Sequence, residues 1–193
     1  MDLQLRPWSL SDAVDLRRAV ASSPDLVLQL GDADLSSETA CASFIERALV
    51  PVHEDRVDRA ICIDTTVVGN VGLSAIEHRH DSAWMSYWVA AGFRGRGLAT
   101  RALAALAAQA FDELRLFRLE LGHRTDNVAS CHVANRAGFV AEGVERSKLR
   151  YGDLRFDVET HARLATDPAP AVWGVIAPRL PYEPARDSPP AAG

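Results

Sequence analysis

The sequence predicts an α/β protein of the α+β kind, one domain over residues 1–165 followed by a proline-rich tail over 166–193. Three observations carry this expectation. The chain has 193 residues, and domains run to about 100–200 residues, so there is room for one core and not two. Hydrophobic residues make up 48% and charged residues 24% of it, which excludes wholesale disorder and collagen-like repeats. The hydrophobic period alternates along the chain between two and about 3.6 residues, in the order β-α-α-β-β-β-α-β-α-β-β, with too many adjacent strands for simple βα alternation.

Leu3, Leu5 and Pro7 alternate as a short first strand. Ser11-Asp12 offers a cap for a helix running toward Ser22, and Ser36 or Ser37 opens a second helix that Pro51 stops after Val50. Residues 59–64 and 66–76 read as strands around a turn at Thr65, and residues 83–90 as a third, all expected antiparallel. From Gly97 onward Leu103, Leu106, Ala107, Ala110 and Phe111 recur at helical spacing, one apolar stripe over about four turns. Phe117, Leu119 and Leu121 alternate with Arg118 and Glu120 as the next strand, and Asp126 or Asn127 caps a short helix that ends between Arg136 and Gly138. In the final strand Phe156, Val158, Thr160, Ala162 and Leu164 share one face, and Arg155, Asp157, Glu159, His161 and Arg163 the other. Seven of the ten prolines lie between Pro168 and Pro190, which stops regular structure there. The apolar piece 171–176 within that tail is expected to dock on the domain or on a second subunit.

A net charge of −5 argues against nucleic acid as the main partner, because phosphate neutralisation needs an excess of Lys and Arg. Cys41, Cys62 and Cys131 form no close-spaced pair, so neither disulfides nor a cysteine metal cage is expected, and no metal. No stretch approaches the ~18 apolar residues of a membrane span, and the first residues lack the layout of a secretion signal, so the expected location is the cytoplasm. Monomer and homodimer both remain open. Of the aromatic residues Trp84, Tyr87 and Trp88, most are expected to pack in the core.

The segment from Tyr87 to Thr100 is a strand, a Gly/Arg-rich loop and the start of the best helix. The first turn of a helix has N–H groups without partners and partial positive charge, which suits an anion such as a pyrophosphate. Gly95 and Gly97 allow close backbone approach, and Arg94 and Arg96 supplement the charge. The plainer reading is a flexible connector with solvated arginines. There is no G-x-x-x-x-G-K-[ST], which excludes a Walker loop. Gly95-x-Gly97-x-x-Thr100 meets half of a dinucleotide fingerprint, with Glu120 about 20 residues on where a ribose-binding acid belongs. Against it stand the adjoining strands upstream and the roughly 65 residues left after Thr100, too few for a second mononucleotide half.

Arg94-x-x-Gly97-x-Ala99 resembles the acetyl-CoA pyrophosphate loop of the GNAT superfamily of N-acetyltransferases. The block Asn127-x-x-Ser130-x-x-Val133-x-x-Arg136-x-Gly138-Phe139-x-x-Glu142-Gly143 resembles the second signature of the branch that acetylates ribosomal-protein N-termini. The resemblance covers Leu3 to Leu164. It implies a mixed, mostly antiparallel sheet of about seven strands flanked by about four helices, with acetyl-CoA as cosubstrate. It further implies that Trp88, Val89 and Ala90 lend backbone groups to the pantetheine arm, Val89 N–H also serving as oxyanion donor. Arg94, Gly95, Arg96, Gly97, Leu98, Ala99 and Thr100 would hold the pyrophosphate, Asn127 the pantetheine amides, and Asn135 and Arg136 the adenine end. Ser130 lies where the family often has a hydroxyl near the CoA sulfur, which makes it the candidate acid; it reads equally as a helix serine bonded to local backbone. Gly138-Phe139 reads as a helix stop followed by a buried aromatic.

The implied acceptor is a primary amine. A protein N-terminal α-amine comes first, with a polyamine, amino sugar or antibiotic as the small-molecule alternative and a CoA-binding module without turnover as the third. The acidic balance mildly suits a cationic acceptor. Residues 83–88 carry no carboxylate to act as general base, and the position where the ribosomal-protein branch uses a glutamate aligns with Leu149. Glu77, His78, His123 and Tyr87 are the remaining candidates, with a water chain as the alternative.

Overall fold

The computed structural model describes residues 2–31, 33–50, 53–171 and 174–180. Among them, eight strands form one sheet: β1 (Leu3–Arg6), β2 (Val57–Ile63), β3 (Thr66–Glu77), β4 (Ser82–Val89), β5 (Arg118–Arg124), β6 (Val140–Tyr151), β7 (Leu154–Leu164) and β8 (Val175–Ile176). The α-helices are α1 (Ala13–Ser22), α2 (Pro24–Gln29), α3 (Glu38–Phe44), α4 (Leu98–Asp112) and α5 (Val128–Arg136). The strand order is β6-β7-β5-β4-β3-β2-β1-β8. Only β4–β5 and β1–β8 run parallel, so the expected mixed, mostly antiparallel sheet is present. No helix among the described residues is long and apolar enough to cross a membrane.

Both faces of the sheet are covered. On one, the stripe Leu103, Leu106, Ala107 and Ala110 of α4 packs with Leu5, Ile61, Val71, Met85, Leu119 and Leu121. On the other, Leu16, Leu26, Cys41 and Ile45 pack with Ala60, Cys62, Val67 and Trp88. Strand β2 lies between the two layers and is buried at every position, and at about 25 cal/mol per Å² of apolar area such double-sided burial dominates the folding free energy.

Strand count and helix count each exceed expectation by one, for different reasons. The extra strand, β8, comes from the tail: Leu3 pairs with Val175 and Gln4 with Ile176. Beyond it Gln109 Nε2 donates to the carbonyl of Pro178 (2.8 Å), and Leu180 N–H donates to Glu113 (2.7 Å) while its side chain enters the core. The apolar piece of the tail therefore docks on its own chain; Val172, Trp173 and residues 181–193 lie outside the described residues, as does Pro51. The extra helix, α2, has six residues, with Pro24 at its first turn. That is too short for a 3.6-residue period to register.

Two helix boundaries also differ. Asp12, of the pair Ser11-Asp12, holds the cap position of α1 but caps it with no side-chain bond, and Ser9 caps the turn before it. Asp12 accepts from Ser9 N–H (2.8 Å) in a capping box that opens a single 3-10 turn before α1. The second helix starts as expected at Ser37, whose hydroxyl accepts from Ala40 N–H (3.1 Å), but after Phe44 it widens into a π turn over Ile45–Leu49. The end of α5 matches its reading. Phe139 N–H donates to Ala134 O (3.0 Å) and Gly138 N–H to Asn135 O (3.1 Å), Gly138 has φ +86°, and Phe139 is buried. This paired closure consumes the last carbonyls of the helix and requires a left-handed residue at Gly138.

Candidate active site

The site begins where the sheet opens. Parallel pairing between β4 and β5 runs only through Ser82–Arg118, Ala83–Leu119 and Trp84–Glu120. Beyond Trp84, β4 continues to pair with β3 as far as Val89, and β5 with β7 as far as Arg124. The two strands thus splay into a V. Main-chain groups alternate sides along a strand, and Ala90 N–H donates to Val68 O on β3 (2.8 Å). The N–H of Val89 therefore faces the gap.

A cavity of about 370 Å³ opens at the end of β4, bounded by the glycine-arginine loop, the first turn of α4, the length of α5, and α2. Gly97 caps α4 with φ +73° and no side-chain hydrogen bond, and Gly95 has φ +75°. Both are in the left-handed region that costs other residues energy. A Cβ built at either would meet nothing within 4 Å, so the space over the loop is open to a ligand. The amides of the first helical turn face it with their partial positive charge.

Of the residues expected to hold a CoA-like ligand, Trp88, Val89, Arg94, Gly95, Gly97, Leu98, Ala99, Thr100, Asn127, Ser130 and Arg136 line this cavity. Three do not. Ala90 spends its N–H on β3, Arg96 folds back onto the carbonyl of Gly92 and over the Phe93 ring, and the Asn135 amide donates to Cys131 Sγ (3.3 Å). The Arg94 side chain, expected to supplement the charge of the loop, also makes contacts within the protein. Its Nε donates to Val89 O (2.9 Å) and its other end pairs with Asp25 at 2.8 Å. It ties α2 to the loop and takes up the Val89 carbonyl.

A second cavity, about 590 Å³, adjoins the first and shares Asp25, Tyr87, Trp88, Asn127 and Ser130 with it. Residues from distant parts of the chain, Phe44, Arg56, Asn70, Leu149 and Tyr151, line it. Leu149 thus faces the cavity with an apolar side chain. The carboxylates here are engaged: Asp25 with Arg94, and Asp126 with Arg124, whose guanidinium holds the Asp126 carboxyl below its usual range.

Tyr87 and Ser130 stand at the junction. Asn127 Oδ1 accepts from Ser130 N–H (3.0 Å), so the cap of α5 is supplied by Asn127, and the Ser130 side chain interacts with the Tyr87 phenol. It is not consumed by the local backbone. Tyr87 OH donates to Ser130 O (3.4 Å), and burial pushes the phenol pKa up, the Ser130 contact opposing this. A phenol so placed stays neutral, which suits a proton donor better than a base.

The other base candidates are elsewhere. Glu77 and His78 lie at the far end of the β3–β4 hairpin; Glu77 pairs with Ser82 and accepts from Arg79 and His80 N–H. Seven residues of strand separate Ser82 from Val89, about 23 Å at ~3.3 Å per residue, and neither Glu77 nor His78 lines either of these two cavities. His123 lines the second cavity, but its Nε2 lies 3.0 Å from His161 Nε2 and its Nδ1 3.0 Å from Arg124 O. Sequence reasoning missed Asp25, because α2 itself was missed. It also missed Cys131 and the facing pair Glu159 and His161, although their shared strand face was readable from alternation.

A splayed parallel pair, a glycine loop opening a long helix and two cavities meet at one place in the fold, and the chain belongs to the acetyltransferase (GNAT) domain family, whose model matches residues 2–140. It is similar to YdaF of Bacillus subtilis strain 168, with 29% identity over 108 residues covering 56% of this chain and 59% of that protein. It is also similar to the ribosomal-protein-serine acetyltransferase of Escherichia coli K12, 31% identical over 98 residues covering 51% and 55%. The chain therefore spans a little over half the length of the curated relatives it matches. Among solved structures, RimJ of Mycobacterium smegmatis in complex with CoA-disulfide superposes with a TM-score of 0.73 at 25% identity, over 86% of each chain.

Proposed function

We propose that this protein binds acetyl-CoA in the first cavity and transfers the acetyl group directly to a primary amine entering from the second, the acceptor being a protein N-terminal α-amine. The observation that carries the reading is the junction of the two cavities at Tyr87 and Ser130, beside the open edge of β4. A thioester whose diphosphate rests on the loop amides would bring its carbonyl to that junction. Relatives named for ribosomal-protein acetylation support the protein acceptor. The three free cysteines suit a reducing compartment such as the cytoplasm.

The neutral amine adds to the thioester carbonyl, and the oxyanion is stabilised by the Val89 N–H that faces the gap. The tetrahedral intermediate collapses with cleavage of the C–S bond, and the CoA thiolate takes a proton from Tyr87 or from the Ser130 hydroxyl. No carboxylate at the junction is free to act as base, so the amine loses its proton to water in the wide second cavity. Thiol release from acetyl-CoA across a panel of amines tests this. The expected result is turnover with a peptide bearing a free N-terminus and none after that N-terminus is blocked. Turnover with polyamines or amino sugars alone would replace the acceptor, and binding of acetyl-CoA without release on any amine would replace the enzyme by a CoA-binding module.

A further inference from the structure

Beside the second cavity, but outside the roles above, four donor side chains from three elements converge. They are His123 on β5, Cys131 on α5, and Glu159 and His161 on β7, with all their ligand atoms within 4.8 Å of one another. We propose that they form a zinc site that fastens the start of α5 to strands β5 and β7.

The spacing of the three nitrogen and oxygen donors approaches that of a coordination shell, and the sulfur has to close in from within 4.8 Å. His123 Nε2 and His161 Nε2 are 3.0 Å apart, His161 Nε2 and Glu159 Oε2 3.1 Å, and His123 Nε2 and Glu159 Oε2 3.4 Å. With zinc bonds of about 2.0–2.1 Å to nitrogen and oxygen, the edge of a tetrahedron is about 3.3–3.4 Å, and an edge to sulfur is somewhat longer. Strand register produces the arrangement, since His123 pairs with Glu159 and Leu121 with His161 across β5–β7, and Glu159 and His161 share one face.

Hydrogen bonding gives an independent argument. His123 Nδ1 lies 3.0 Å from Arg124 O, and His161 Nδ1 lies 3.5 Å from Phe139 O. A carbonyl only accepts, so the 3.0 Å contact puts the proton of a neutral His123 on Nδ1 and leaves its Nε2 a lone pair. His161 Nε2, 3.0 Å from that lone pair and 3.1 Å from Glu159 Oε2, sits where either a proton or a cation bridges the three. Carbonyl-anchored imidazoles are the usual support of metal-ligating histidines. The two histidine side chains are 5% and 0% exposed, whereas Glu159 is 29% exposed and Cys131 half-buried. An ion can therefore enter past the carboxylate. Thiolate, imidazole and carboxylate donors in a closed four-coordinate set suit zinc held structurally. As the ion enters, Cys131 gives its proton to solvent and binds as thiolate, and the Asn135 amide donates to the same sulfur at 3.3 Å. No spacing in the chain signals this set, because a single cysteine contributes and the other donors meet only through strand register.

The test uses the full, tag-free chain, stripped with chelator and reloaded with zinc, or with cobalt(II) as a spectroscopic probe. The expected result is one zinc per chain retained through gel filtration, a higher melting temperature than the stripped protein, and intense tetrahedral cobalt bands. A thiolate-to-cobalt charge-transfer band should accompany them and be lost in Cys131→Ser, while Glu159→Gln lowers zinc affinity at least tenfold. Because the spectrum of the unaltered chain is itself diagnostic, the test does not depend on a variant folding. Failure to retain zinc together with the spectrum of free aqueous cobalt would overturn the proposal and leave a proton bridging the two histidines. Stoichiometric binding whose spectrum is unaffected by Cys131→Ser would also overturn it.

Discussion

Gly97→Ala probes the loop at the point where conformation and ligand binding separate. Gly97 sits at φ +73°, ψ 8°, and a residue with a Cβ pays about 1–2 kcal/mol to adopt that region. A domain of this size loses about 2–4 °C of melting temperature per kcal/mol, so the ligand-free variant should melt about 2–8 °C lower. No protein atom lies within 4 Å of the new Cβ, so no steric cost within the protein adds to this. The methyl group instead projects into the space over the amides. Loss of one hydrogen bond to a charged oxygen is worth about 1.5–3 kcal/mol, which weakens acetyl-CoA binding roughly 10- to 150-fold. Thermal denaturation without ligand and calorimetric titration with acetyl-CoA read the two effects separately. Gly97→Asn, a residue that tolerates the left-handed region, should recover most of the melting temperature but not the affinity. Wild-type affinity in Gly97→Ala, with the melting temperature lowered as expected, would refute the placement of the diphosphate.

Ser130→Ala should lower kcat by about 100-fold, within the range for a proton donor, and leave acetyl-CoA affinity within about twofold; an unchanged kcat removes the hydroxyl from the reaction. Tyr87 has a folded pKa raised by burial, so its contribution to stability is complete below the unfolded value of about 10 and is lost as pH rises through the folded one. Tyr87→Phe should accordingly show a smaller fall in urea midpoint between about pH 9 and 12 than the unaltered protein, and equal falls would contradict this. Gly138→Ala forces a Cβ to φ +86° and within 3.3 Å of Arg163 Nε, which should cost at least about 1–2 kcal/mol in urea unfolding. An unchanged midpoint would contradict the left-handed closure of α5.

What the sequence made legible was local. The 15-residue helix α4 carries its apolar stripe over four turns, and Gly97 marks its start through a backbone requirement, so the glycine loop is legible without any tertiary knowledge. The ends of α5 were readable for the same reason, since Asn127 and Gly138 act within a few residues of themselves. Helix α2 was not, because six residues cannot establish a period, and with it went Asp25 and the true partner of Arg94. The second cavity is assembled from residues between Asp25 and Tyr151. The side-chain cluster of His123, Cys131, Glu159 and His161 depends on the register of β5 against β7. Neither leaves a trace at fixed spacing. The candidate base Glu77 illustrates the same limit: a carboxylate at a strand end is visible in sequence, but which end of the strand meets the ligand is decided by where the β4–β5 ladder stops.

The central claim is that main-chain amides of the loop from Gly95 to Thr100 capture a diphosphate. A crystal structure of the chain grown with acetyl-CoA tests it most directly. The account expects diphosphate oxygens about 2.7–3.2 Å from at least two of those nitrogens, with the thioester in the V between β4 and β5 beside Tyr87 and Ser130. Coenzyme bound elsewhere, with only water against the loop amides, would contradict it.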